Sequence, residues 1–194
     1  GNMPASKVLK QSALVAVNGQ RAPLAMDKKM GASIAGVKIV KTDIQCSNGI
    51  IHVIDEVILP ELRSIPVVAD RSGLFTTLGV ALDLTKLEDD LRGPGPFTVF
   101  APTDAAFQAL PAGVLDSLIQ NPRVLADVLT YHVTPGRLYA DDVLASGMLN
   151  MLNGGMTSIR TNARGAFIEE SMIIVTDIQA SNGVIHVIDA VLVP

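Results

Sequence analysis

One phrase occurs twice in this chain and constrains the fold more than any other feature. "TDIQCSNGIIHVIDEVILP" spans residues 42–60, and "TDIQASNGVIHVIDAVLVP" spans residues 176–194. Aligning 39–60 with 173–194 gives 15 identities in 22 positions, the mark of a duplicated unit. Asp177 minus Asp43 is 134 positions, the size of one ordinary domain, yet only 42 residues precede Asp43. Upstream, "VNG" at 17–19 matches "LNG" at 152–154 after a one-residue gap, so 12–60 corresponds to about 147–194. Residues 62–146 have no earlier counterpart. The chain therefore reads as the C-terminal half of one domain over residues 1–60, followed by a complete domain over residues 62–194. The boundary falls near Glu61–Ser64, where Pro60 and Pro66 bracket a segment that cannot continue a central strand.

The composition supports folded domains. Apolar residues make up 48% and charged residues 18% of the 194, outside the range of disordered chains. A net charge of −4 with scattered Lys and Arg, the densest pair being Lys28–Lys29, provides no basic footprint for nucleic acid or anionic lipid. One cysteine, Cys46, excludes an intramolecular disulfide framework. No run of about 20 apolar residues is present for a membrane span, and residues 1–19 do not read as a secretory signal.

Helical spacing of Leu74, Leu78, Leu82, Leu84 and Leu87 predicts helix over 67–92, stopped by "GPGP" at 93–96. "FTVFAP" reads as a short strand. In "PTDAAFQAL", Thr103 or Asp104 can cap a new helix. "PRVLADVLTYHV" reads as an amphipathic helix with Leu125, Val128, Leu129 and His132 on one stripe. The remainder is mostly β, with turns at Asn153–Gly154 and Asn182–Gly183. Helices in front and strands behind predict an α+β fold rather than repeated βαβ units.

"FTVFAPTDAAFQAL" (97–110), "LTYHVTPGRL" (129–138) and the twice-used "SNGxIHVID" resemble the fasciclin-type domain, with its signatures in order over 65–194. Residues 1–60 resemble only the final third to half of that domain. The resemblance implies a wedge-shaped β-sandwich with several helices packed alongside. It also implies a non-enzymatic extracellular or cell-surface adhesion module, secreted or periplasmic, that binds protein or polysaccharide partners and needs no metal or cofactor. In some animal members the Tyr-His region and its apolar neighbours are implicated in integrin binding. Here that region maps to Tyr131 and His132, with Leu125, Val128, Leu129 and Leu138 nearby. The region, not the integrin partner, is what carries over.

Read from the residues alone, catalysis is disfavoured. Ser181, His186 and Asp189 form a triad on paper, echoed by Ser47, His52 and Asp55. Strand alternation puts His186 on one face and Asp189 on the other, so both pairs read as hydrogen-bonded structural residues. Three histidines and one cysteine in no ligand spacing leave no metal shell. His132 reads first as a structural histidine tying its helix to the Thr103–Asp104 turn. Met148, Met151 and Met156 read as core filling rather than an exposed patch. The competing class is a small-molecule-binding scaffold or unrecognised hydrolase, which would require a deep polar pocket. A lone back half exposes sheet edges and an apolar face, which predicts self-association through residues 1–60.

Overall fold

The computed structural model describes residues 2–28 and 31–194; Lys29, of the Lys28–Lys29 pair, lies outside them. The chain forms two compact units, Gly1–Glu61 and Leu62–Pro194.

The second unit is α+β. The expected helix over 67–92 is broken by left-handed residues at Gly73 and Lys86 into α2 (Ile65–Ser72), α3 (Thr76–Thr85) and α4 (Leu87–Leu91). Next come β6 (Phe97–Pro102), α5 (Asp104–Gln108), α6 (Val114–Gln120), α7 (Pro122–Thr130), β7 (Val133–Pro135) and α8 (Ala140–Ser146). Strands β8 (Met148–Asn150), β9 (Met156–Asn162), β10 (Gly165–Ile168), β11 (Ser171–Ala180) and β12 (Gly183–Ile188) complete it. Helices α6 and α8 fall where the residues show no clear helical period.

These strands form one sheet in the order β7-β6-β12-β11-β10-β9-β8. Its two ends meet: the Leu152 amide donates to Val133 O (2.8 Å) and Thr134 Oγ1 donates to Asn150 O (2.8 Å). The curled sheet nearly closes, so its opposite walls face each other as the two layers of a sandwich do. Strand alternation divides the core in two. Val99 and Ala101 of β6, with Ile185 and Val187 of β12, face the helices alongside Ile65, Leu78, Leu125 and Leu129. Phe100 and Ile188 face the interior with Tyr131, Val143, Leu149 and Ile168. The β6–β12 pair is parallel, in register from Phe97↔Gly183 to Pro102↔Ile188. Because both its faces are covered, all six residues of β12 are buried.

The first unit holds α1 (Ala5–Val8) and an antiparallel sheet of β1 (Ala13–Val15), β2 (Arg21–Asp27), β3 (Gly31–Ile34), β4 (Val37–Cys46) and β5 (Gly49–Ile54). It matches β8–β12 strand for strand. Ile39↔Ile54, Lys41↔Val53 and Ile44↔Ile51 reproduce Ile173↔Ile188, Val175↔Val187 and Ile178↔Ile185, with register shifts at the same places. Asp43 and Asp177 take the same left-handed conformation (φ 61° and 63°). The likeness extends upstream of residue 12. The Ala5 amide donates to Asp43 Oδ1 (2.8 Å) as the Ala140 amide donates to Asp177 Oδ1 (2.8 Å). His52 Nε2 bonds Met3 O as His186 Nε2 bonds Leu138 O. Among its described residues the first unit has no counterpart of β6, β7 or α2–α7. Burial differs accordingly: Ile185 and Val187 are 1% exposed, whereas Ile51 and Val53 are 52% and 36% exposed.

Candidate functional site

Leu125, Val128 and Leu129 lie on the buried stripe of α7, which ends at Thr130. Tyr131 and His132 continue inward from that end. All five side chains are buried, and Leu138 is half-buried. They therefore present little area to a partner as folded; their contacts are internal. The Tyr131 hydroxyl donates to Met156 O (3.0 Å), and a Cβ on Gly155 would lie 2.8 Å from the tyrosine ring. Burial, with Glu169 nearby, raises the Tyr131 pKa, so the phenol stays a donor.

His132 does not reach Thr103 or Asp104, the partners expected from the sequence. The Leu192 amide donates to its Nε2 (2.9 Å), so the ring proton sits on Nδ1, which donates to Val128 O (2.7 Å). The ring thus ties the end of α7 to the C-terminal segment. Full burial pushes its pKa down to about 4, against a smaller opposing effect of the Val128 carbonyl. Thr103 and Asp104 cap helices instead. Thr103 Oγ1 accepts from the Ala106 amide of α5 (3.2 Å). Asp104 accepts from the Thr76 and Thr77 amides of α3 (3.2 and 2.7 Å), and the Thr77 bond above all lowers its pKa.

The paper triad is not assembled. His186 stacks on Phe100 (centroids 5.5 Å apart) and accepts from the Asp177 amide at Nδ1 (3.3 Å). Its Nε2–H donates to Leu138 O (2.9 Å), and burial lowers its pKa. Asp189 Oδ1 accepts from the Met172 amide (2.7 Å) and Ser171 Oγ (3.2 Å). In the first unit Asp55 Oδ1 likewise accepts from the Lys38 amide (3.0 Å). Ser181 is exposed, its backbone bonded to Arg63 and Arg137.

Two residues that sequence reasoning passed over hold the β11–β12 turn. Arg137, which appears in the sequence only inside "LTYHVTPGRL" with no role of its own assigned, donates to Ala180 O (3.0 Å), Gly183 O (2.6 Å) and Ser181 O (2.9 Å). Asn182, read only as a turn former, accepts from the Ile65 amide (3.0 Å) and donates to Leu91 O (2.7 Å) and Gly93 O (2.8 Å). Its place in the repeated "SNG" was the available signal.

Of the three clustered methionines only Met151 fills the core. Met148 and Met156 are both 54% exposed, and Leu152 is 45% exposed. Met148, Leu152 and Met156 are thus exposed along β8, β9 and the turn between them, with the Tyr131 hydroxyl bonded to the Met156 carbonyl, which corrects the core-filling expectation for two of the three methionines. The strand pleat explains the split, since Leu149 and Thr157 take the inward positions between them. Elsewhere, a shallow cleft of about 410 Å³ runs between α2, α3 and α4, with Asp70, Asp83, Glu88 and Arg92 at its rim. Arg92 pairs with Glu88 there. No His, Cys or Ser lines it. Among the described residues, no group of three His, Cys, Asp or Glu could hold a metal ion, and no helix is long and apolar enough to cross a membrane.

Comparison with known proteins agrees with this architecture. An uncharacterised protein of Synechocystis is 40% identical over 134 residues, 69% of this chain and 98% of that protein. The transforming growth factor-beta-induced protein ig-h3 of Sus scrofa is 31% identical over 160 residues, 81% of this chain and 23% of that protein. A solved fasciclin-domain pair from the insect cell adhesion molecule Fasciclin I superposes with a TM-score of 0.60 at 17% identity, covering 100% of this chain and 76% of that one. The fasciclin-domain model matches residues 1–60 and 73–194, and the chain belongs to the fasciclin-domain family.

Proposed function

We propose that this chain is a non-enzymatic extracellular or cell-surface interaction module that binds a protein or polysaccharide of the surface or matrix. Residues 62–194 are its complete domain and residues 1–60 the C-terminal part of another. The observation that carries this reading is the Tyr131 hydroxyl bond to Met156 O, on a strand pair where Leu152 and Met156 are exposed. Tyr131 and His132 act from within, packed with Leu125, Val128, Leu129 and Leu138. They hold a surface that the β8–β9 side presents. Apolar side chains rimmed by polar ones on a rigid strand pair are the usual form of a protein-contact patch. Asn150 and Ser158, which pair across from Met156 and Met148, supply polar groups there.

The test is surface binding of the immobilised chain to intact cells and to a polysaccharide panel, beside the double variant Leu152→Glu, Met156→Glu. Both side chains are exposed, so the variant should keep the parent melting temperature. Saturable binding that drops at least tenfold in the variant is expected. Equal binding by both proteins would remove the β8–β9 side from consideration. The α2–α4 cleft favours a second reading as a small-molecule scaffold. A small molecule seated there would raise the melting temperature of the chain and lose that effect with Val80→Glu, which places a charge in the lining.

A further inference from the structure

Helix α3 carries a glycine in its body that the fold itself does not require. Gly79 is the fourth residue of α3, and its amide donates to Phe75 O (2.9 Å). Its backbone is not left-handed, so conformation does not call for glycine there. A Cβ at this position would meet nothing from the rest of the fold within 4 Å, so packing does not call for it either. Gly155 and Gly183 of the same unit, by contrast, have neighbours that a Cβ would strike. Alanine would serve a helix interior better than glycine does. Gly79 lines the cleft of about 410 Å³ between α2, α3 and α4, a volume within the range of small-ligand sites. The floor of the cleft is apolar: Pro66, Phe75, Leu78 and Leu82 are buried there, and exposed Val80 lines it too. Charge at the rim is one-sided. Arg92 is taken up by Glu88. Asp70 and Asp83 are exposed, and among the described residues their carboxylates make no hydrogen bond or ion pair. Arg71 and Lys86, the other cations of residues 65–92, do not line the cleft.

We infer that the cleft is a binding site for a small apolar amine, whose hydrocarbon body lies on the backbone of α3 at Gly79 and whose ammonium group meets Asp70 and Asp83. The glycine supplies the approach: with no Cβ in the way, ligand carbons reach the helix backbone and the apolar floor. Carboxylates only accept, so the head group must donate, and a cationic donor does so most strongly. An anionic head would face two unpaired like charges. A bare metal ion fits poorly, because among the described residues no third ligand joins the pair and the apolar floor would go unused. This inference rests on the second reading above, the cleft as a small-molecule site, and names its ligand class.

The probes are hexylammonium, hexanol and hexanoate, which present similar alkyl bodies under different heads. Each is titrated into the isotope-labelled full chain at constant ionic strength, and binding is read from the amide shifts of Gly79, Val80 and Asp83. Saturable shifts are expected with hexylammonium, at an affinity about fivefold above the other two. Asp70→Asn with Asp83→Asn should bring the three probes level. Gly79→Ala should weaken hexylammonium about tenfold while raising the melting temperature by about 3 °C, a pairing that a merely structural glycine would not give. Equal or reversed preference among the three heads overturns the inference and leaves the small-molecule reading standing. So does a Gly79→Ala chain that melts lower than the parent or binds hexylammonium as the parent does. Tighter binding of Nα-acetyl-lysine methylamide than of hexylammonium also overturns it, and assigns the cleft to a lysine of a protein partner. If no probe moves the cleft amides, the inference falls and the small-molecule reading falls with it.

Discussion

Lowering the pH should weaken the second unit through His132. Folded, the ring is neutral with a pKa of about 4; unfolded, it returns to its ordinary 6.5. The unfolded chain therefore binds the proton more readily at every pH between those values. The stabilisation from a neutral His132 is fully present above pH 6.5 and is lost as the pH falls toward 4. At ~1.4 kcal/mol per pH unit, the interval amounts to roughly 3 kcal/mol. The structural cause is specific: a proton on Nε2 would face the Leu192 amide, donor against donor, in a buried site. His186 adds to the slope in the same sense, since burial lowers its pKa too. Urea titrations from pH 7.5 to 4.5, followed by tyrosine fluorescence, measure this directly. Both tyrosines of the chain, Tyr131 and Tyr139, are buried in the second unit, and there is no tryptophan, so the signal reports that unit alone. His132→Gln cannot titrate. It should be less stable than the parent at pH 7.5 and lose less stability than the parent between pH 6.5 and 4.5. Parallel losses in the two proteins would refute the assignment of the slope to His132.

Other perturbations separate the two copies of the repeat and the two roles of the "PTD" turn. Asn182→Ala strands the Ile65 amide and two carbonyls, and should cost about 3 kcal/mol of stability, whereas Asn48→Ala should cost about nothing, both read by calorimetric unfolding of the whole chain. Equal effects would mean that the first unit already holds a cover. Asp104→Ala removes the cap of α3 and should cost ~1 kcal/mol at pH 7, with the difference from the parent shrinking as the pH falls through the carboxylate range. Thermal unfolding at pH 7 and pH 3.5 checks that sign.

The parts of the fold legible in the sequence were those set by local periodicity. Strand parity placed His186 and Asp189 on opposite faces, and the structure separates them onto different partners. The repeat gave the offset that superposes β1–β5 on β8–β12. It missed α1 against α8, because Ser6, Lys7 and Lys10 stand where Asp141, Asp142 and Ala145 do. What carries over there is a role rather than an identity: one alanine amide bonds one left-handed aspartate. The parallel β6–β12 pair joins residues more than 80 positions apart, and no periodicity within either strand reveals such a partner. His132 shows the same limit. Its inward stripe was readable, but its partner 60 residues away at Leu192 was not, and the nearer Thr103–Asp104 turn was a natural wrong choice. The proposed surface lies away from the Tyr-His motif for a related reason. The Tyr-His motif was identifiable by its residues, yet the same apolarity that makes it recognisable sends it into the core. The exposed groups of the proposed surface, Leu152 and Met156, lie 21 and 25 positions beyond Tyr131 and carry no motif of their own. In a sheet that closes on itself, a motif marks where a surface is held, and the surface belongs to whichever strand passes over it.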